Sequence, residues 1–218
     1  MSKRVAVVLA GCGFLDGAEI RESVLTLLNL DIYNAQVSIF APDKEQHHVI
    51  NHKAKNEASE KRNVLVEAAR IARCQVEPLS KLRASHFDCL VLPGGFGVAK
   101  NLCTFAFEGA KGSVDPEVKA VIEDFNNNNK AIGAICISPA LIAMVLGKKG
   151  VTVTIGKDVE TAQEVEKTGA KHINCEVTDC VVDKANKVAT TPAYMFDAAK
   201  LDDINTGIRK CISATLSL

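Results

Sequence analysis

The sequence predicts an α/β fold: a single domain built on one doubly wound, mostly parallel, flavodoxin-like sheet between two layers of helices. Two features carry that prediction. Short continuous apolar runs alternate with segments whose apolar residues recur at helical spacing. Glycine-rich or otherwise sharp turns close several of those runs, as at the carboxyl edge of a parallel sheet, where ligands bind.

Taken in order, Arg4 to Ala10 reads as a buried parallel strand, and Gly11 to Gly17 as the first strand-to-helix turn. Ala18 to Leu30 follows as a helix with Ile20, Val24, Leu27 and Leu28 on one face. Gln36 to Ala41 is the second strand, ended by Pro42. The polar stretch 43–62 holds His47, His48 and His52 and is too long for an ordinary loop, so it is predicted to be an insertion with possible function. Asn63 caps a helix over 64–73. Phe87 to Leu92 is a strand, 93–97 a glycine-rich turn, and Val98 to Phe107 a helix. Asp115-Pro-Glu opens the next helix with an N-cap and a proline at the first position, and the helix runs to about Asn126. The run from Lys130 is the central strand, and Pro139 starts the helix behind Cys136. Beyond it lie a strand at 151–155, a helix at 158–168, a hairpin of 177–182 with 187–191, and a closing helix at 197–216.

Composition removes several function classes. The 26 basic and 26 acidic residues balance and intersperse, which leaves no electrostatic case for nucleic acid or an anionic membrane. No span is apolar enough for a membrane helix. The eight cysteines form no CxxC and lack partner spacing for zinc, so no metal is expected. Scattered thiols and the absence of an export signal suggest a reducing, cytoplasmic setting.

Three turns should meet at the sheet edge: 11–17, 93–97 and 136–138. A cysteine on a turn as sharp as Ala134-Ile-Cys-Ile-Ser-Pro139 has its sulfur pushed out beside helix N-terminal amides, which favour thiolate. This is a cysteine nucleophile elbow. The plainer alternative is a buried small hydrophobe. Glu19, at the start of the first helix, faces the same edge and could act as general acid and base. It could equally serve only the helix dipole. Gly94 and Gly95 permit close backbone approach, and with the Ile137 N–H they could form an oxyanion hole.

At this point the residues match a family. Leu92-Pro-Gly-Gly-Phe-Gly97, Ala134-Ile-Cys-Ile-Ser-Pro139 and an early glutamate resemble the PfpI-like, class I glutamine amidotransferase-like superfamily. Ala10-Gly-Cys-Gly-Phe-Leu-Asp-Gly-Ala-Glu-Ile20, Ala41-Pro-Asp-Lys44, Val49-Ile-Asn-His52, Ala99-Lys-Asn-Leu102 and Thr190-Thr-Pro-Ala-Tyr-Met195 look like the ElbB-type glyoxalases and their mitochondrial amidotransferase-like homologues. The resemblance covers essentially the whole chain. It implies conversion of glyoxal to glycolate, or a related deglycase activity, on small aldehydes or dicarbonyls, with no cofactor. It assigns Cys136 as nucleophile, Glu19 as acid and base, and Gly95 and Ile137 as backbone donors. It also implies a homodimer, although no sequence feature identifies the interface.

The chain departs from true glutaminases. Ala134 and Ser138 replace the glycines flanking the cysteine, and His172 is followed by Ile173-Asn174 rather than x-Glu. The histidine that many superfamily members carry after the elbow helix is absent from Val153-Thr-Ile-Gly-Lys157. His52 could replace it if the 43–62 segment folds over the site. Two other classes stay open: a redox or stress-response module using an oxidisable Cys136, and a dinucleotide-binding domain using Gly11, Gly13 and Gly17 with Asp43.

Overall fold

The computed structural model describes residues 2–218. Its centre is a seven-stranded sheet. In chain order its strands are β1 (Arg4–Val8), β2 (Gln36–Ala41), β5 (Glu77–Pro78), β6 (Cys89–Leu92), β7 (Ala131–Ile135), β10 (Val181–Asp183) and β11 (Val188–Thr191). They lie side by side in the order β10-β11-β7-β6-β1-β2-β5. Every pairing is parallel except the hairpin β10–β11. Strands β6 and β7 are buried along their whole length, because helices cover both faces. On one face lie α1 (Ile20–Ile32), α2 (Val64–Ile71) and α7 (Leu201–Ser217), whose Leu30, Val64, Ala68, Ile204, Ile208 and Ile212 pack against Val5, Val7, Cys89 and Val91. The other face is covered by a short α3 (Phe105–Glu108), α4 (Pro116–Asn127), α5 (Ser138–Leu146) and α6 (Val159–Lys167), packed on Ala6, Val8, Leu90 and Ile132. The predicted fold class is therefore the observed one.

The capping arguments hold. The Asp115 carboxylate accepts from the N–H groups of Glu117 and Val118, and Asn63 from that of Val66. Three elements differ from expectation. The run 151–155 gives only β8 (Thr152–Val153), which leaves the main sheet and pairs with β9 (Lys171–His172). Side chains take its ladder bonds: the Thr152 N–H donates to Asp183 and the Thr154 N–H to Thr190. The predicted helix 98–107 is a wide π-type turn, Val98–Leu102, which breaks at the extended Cys103 before α3. The segment 43–62 forms a small hairpin of β3 (Ile50–Asn51) and β4 (Asn56–Glu57).

A further difference concerns α1. An amphipathic helix ordinarily turns its apolar face inward. Here Ile20, Val24, Leu28 and Ile32 face solvent, while Glu22, Ser23, Thr26 and Asn29 are buried. The buried polar groups find partners where they can. The Ser23 hydroxyl donates to the Glu19 carbonyl, and the Asn29 amide to the Leu25 carbonyl and the Asn205 side chain.

Candidate active site

The elbow stands at the carboxyl end of β7. Cys136 adopts φ +64°, a conformation that L-residues rarely occupy, and it is only 7% exposed. Its N–H donates to the Thr191 carbonyl at 2.9 Å, which ties the turn to β11. The Ser138 hydroxyl donates to the Pro93 carbonyl at 2.7 Å and joins the elbow to the 93–97 turn. That turn must be glycine. A Cβ on Gly94 would lie 2.3 Å from the Cys136 Cβ and 2.6 Å from a Glu22 oxygen. Gly95 has φ +103°, and its Cβ would meet backbone atoms of residues 17 and 19 at 2.4 Å. The first turn joins from the other side, with the Gly97 N–H on the Gly17 carbonyl and the Phe96 N–H on the Phe14 carbonyl. The three turns read from the sequence thus converge.

The carboxylate beside the thiol is Glu22. Glu19 is the N-cap of α1: its Oε2 accepts from the Glu22 N–H at 2.6 Å and its backbone N–H donates to the Gly94 carbonyl. The sequence reading placed Glu19 at the start of this helix, facing the same edge as Cys136; the structure makes its side chain the cap of the helix. One turn further on, Glu22 is fully buried and hydrogen-bonded to Cys136. Its two oxygens are held by backbone amides from distant segments, Oε2 by Gly94 at 3.1 Å and Oε1 by Tyr194 at 3.0 Å. The Tyr194 amide is aimed by Ala193, which takes φ +43° while fully buried. Two strained residues therefore bracket the buried acid.

Burial, with the charge of Glu19 added, pushes Glu22 up to about 8. Burial and the neighbouring Glu22 charge push the Cys136 thiol well above the ordinary thiol range, against the pull of the Gly95 and Ile137 N–H groups. The amides near the sulfur do not overcome desolvation, and both shifts favour the protonated forms over the free thiolate expected from helix-end amides alone. Glu19 is also raised, by burial, although the Glu22 and Arg21 amides oppose it.

Of the three backbone donors assigned to an oxyanion hole, Gly95 and Ile137 direct their N–H groups at the sulfur. The Gly94 N–H is taken by Glu22 and is not free for that role. His52 does fold over the first turn. It lies against Gly13, its Nε2 accepts from the Leu15 N–H at 3.3 Å, its Nδ1 meets the Ile50 carbonyl at 3.0 Å, and its ring packs edge-on against Phe14. None of its hydrogen bonds reaches Cys136 or Glu22. The same ring covers Gly13, and the Gly13 and Gly17 amides are spent on the Ala18 and Gly13 carbonyls, so this turn offers no phosphate cradle. His172 accepts from the Ile155 N–H and serves β8 and β9.

Glu22 and Tyr194 were missed by the sequence argument. A signal for Glu22 was present in Glu19-Ile-Arg-Glu22, where an N-cap is followed three residues later by an acid, as in a capping box.

Comparison with known proteins gives a consistent picture. The sequence model described as the DJ-1/PfpI family matches residues 35–200. The ES1 protein homolog, mitochondrial, of Rattus norvegicus is 46% identical, covering 99% of this chain and 84% of the relative. The human glutamine amidotransferase-like class 1 domain-containing protein 3, mitochondrial, is 45% identical over 99% of this chain and 83% of its own. A crystal structure of an isoprenoid biosynthesis protein with amidotransferase-like domain from Ehrlichia chaffeensis superimposes with a TM-score of 0.91 at 41% identity, covering 98% of this chain and 99% of that one. The mitochondrial names of the two curated relatives overturn the cytoplasmic expectation. Scattered free thiols mark a reducing environment without distinguishing the cytosol from the mitochondrial interior.

Proposed function

Because this chain belongs to the DJ-1/PfpI family, we propose that it is a cofactor-independent glyoxalase that converts glyoxal to glycolate, with Cys136 as nucleophile and Glu22 as the proton shuttle. The observation that carries this reading is the buried Glu22 carboxyl, hydrogen-bonded to the Cys136 thiol and fixed by two backbone amides.

In the proposed sequence the Glu22 carboxylate takes the thiol proton as sulfur attacks one aldehyde carbon. It then delivers that proton to the new alkoxide, giving a hemithioacetal. Free again, it removes the hydrogen of that carbon as a proton and returns it to the second carbon, while the hydroxyl proton passes to the second oxygen. The first carbon is thereby oxidised to a thioester and the second reduced to an alcohol. Water cleaves the thioester, releasing glycolate and restoring the thiol. The Gly95 and Ile137 amides, which interact with the sulfur, would hold the oxygen on the attacked carbon.

Glyoxal turnover, followed as glycolate, tests the proposal. Cys136→Ala should abolish it. Glu22→Gln should lower it by a factor of about 100 or more, the scale of acid–base catalysis. Glu19→Gln should cost less than about tenfold, as for a capping group. Undiminished turnover in Cys136→Ala would sink the mechanism.

A further inference from the structure

Two phenylalanines stand exposed on the turns that build the site. Phe96 follows Gly95, whose N–H is directed at the Cys136 sulfur, and it is 49% exposed. Its Cα lies about 3.8 Å from that of Gly95. Phe14 is 42% exposed, and its carbonyl accepts the Phe96 N–H at 2.7 Å, so both side chains spring from the bond that joins the first turn to the 93–97 turn. A single exposed phenylalanine needs no explanation. A pair of them beside the sulfur, both held in place, does.

Each ring has its own brace. The His52 ring meets Phe14 edge-on, with centroids 5.6 Å apart. The Lys100 ammonium sits 5.3 Å from the Phe96 centroid and is fixed by donation to the Leu15 carbonyl at 3.0 Å. The braces come from separate parts of the chain, the segment carrying β3 and β4 and the π-type turn. The backbone beneath is as constrained: a Cβ on Gly95 would lie 2.4 Å from the Glu19 nitrogen, and one on Gly97 2.5 Å from the Gly17 Cα. Rings fixed in this way lose little freedom when a ligand arrives. Glyoxal has nothing to lay against them, since both of its carbons are engaged by the reacting groups.

We propose that Phe14 and Phe96 form a subsite for the aromatic substituent of an aryl 2-oxoaldehyde, whose aldehyde carbon is the one attacked by Cys136. The proposal rests on the glyoxalase reading and names the substrate class of the same site. An aromatic substituent is favoured over an alkyl one because paired rings attract beyond the area they bury. Phenylglyoxal is the simplest member. Sulfur adds to its aldehyde carbon, the hydrogen of that carbon passes as a proton to the ketone carbon, and water cleaves the thioester. One phenylglyoxal and one water give one mandelate, with no external oxidant or reductant. His52, which the sequence offered as a replacement catalytic histidine, props one wall of the subsite.

The test is the kcat/KM for phenylglyoxal, followed as mandelate, divided by that for glyoxal, followed as glycolate. Wild type should favour phenylglyoxal by about tenfold or more. Phe14→Ala and Phe96→Ala, both at exposed positions, should keep the wild-type circular dichroism. Each should lower the ratio about tenfold, chiefly through a higher KM for phenylglyoxal. Phe96→Tyr, which keeps the ring, should stay within about twofold of wild type, and His52→Ala, which frees the Phe14 ring, should lower the ratio about threefold. Glyoxal turnover with a ratio indifferent to both alanine substitutions, or a wild type that favours glyoxal, would overturn this inference and leave the glyoxalase reading standing. Turnover of neither substrate by wild type would overturn both.

Discussion

Glu22 is a carboxyl group kept out of water, and it leaves a signature in the stability curve. Its ordinary value is 4.5 and burial raises it to about 8. Between those values the folded protein holds a proton that the unfolded chain has released. Stability from this group is complete below about pH 4.5 and is lost as pH rises toward 8, with a slope up to about 1.4 kcal/mol per pH unit. Burial lowers His47 and His172, which act in the opposite sense below their ordinary 6.5. The difference between wild type and Glu22→Gln cancels them. Urea denaturation from pH 5 to 8 should show wild type losing stability relative to Glu22→Gln across the range, and a constant difference would refute the assignment. The same ionisation should govern catalysis, so kcat/KM for glyoxal should rise with pH and level off near 8, as the pair gives up its first proton. Packing yields a second residue-scale prediction. Gly94→Ala has nowhere to put its methyl group between Cys136 and Glu22. It should cost roughly 1–3 kcal/mol in stability and remove most activity, measured by denaturation and turnover on the same preparation.

Among the elements, two helices show what the sequence could and could not convey. The elbow was legible because an apolar run, a cysteine and a proline three residues later leave one arrangement open: strand, sharp turn, helix. Helix α1 was legible as a helix but not in its orientation. Hydrophobic periodicity states that a helix has two faces; it does not state that the apolar face meets the rest of the same chain. Reading Ile20, Val24 and Leu28 as inward puts Glu22 in solvent, and a carboxyl beside the cysteine is then sought at Glu19. A single inversion thus accounts for Glu22 having been passed over. The π-type turn at 98–102 was illegible for a related reason, since its role is to present one side chain. The Asn101 amide donates to the Ala10 and Asp16 carbonyls at 3.0 and 2.9 Å, and its Oδ1 accepts from the His47 N–H at 2.9 Å. Asn101→Ala would leave two carbonyls and one N–H without these bonds, at a cost of roughly 1–3 kcal/mol. The segment leading into the hairpin of β3 and β4 would lose one of its anchors, at His47. Trypsin should then cut at the exposed Lys53, Lys55 or Lys61 several times faster than in wild type, and equal rates would show that Asn101 does not hold this segment.

For the molecule as a whole, strand composition specified burial but not neighbours. The runs at 4–10, 36–41, 87–92 and 131–135 read equally well as buried strands in any order, and the order β7-β6-β1-β2 comes from tertiary pairing alone. The departure of β8 from the main sheet depends on the side chains of Asp183 and Thr190, which lie about thirty residues downstream and which no local pattern signals. The groups around the buried acid come from four remote stretches of chain: Glu22, Gly94, Cys136 and the strained Ala193-Tyr194. Any partial opening that releases one of β6, β7 or β11 separates at least two of them. The proposed catalytic centre therefore has no existence as a subassembly, and it should vanish in the same cooperative event as the sheet. Heat inactivation and loss of circular dichroism should share a midpoint to within about 2 °C. Residual activity after the sheet has melted, or its disappearance well before, would mean that the site is a local structure after all. With coincident midpoints, catalysis becomes a direct gauge of how many molecules are folded.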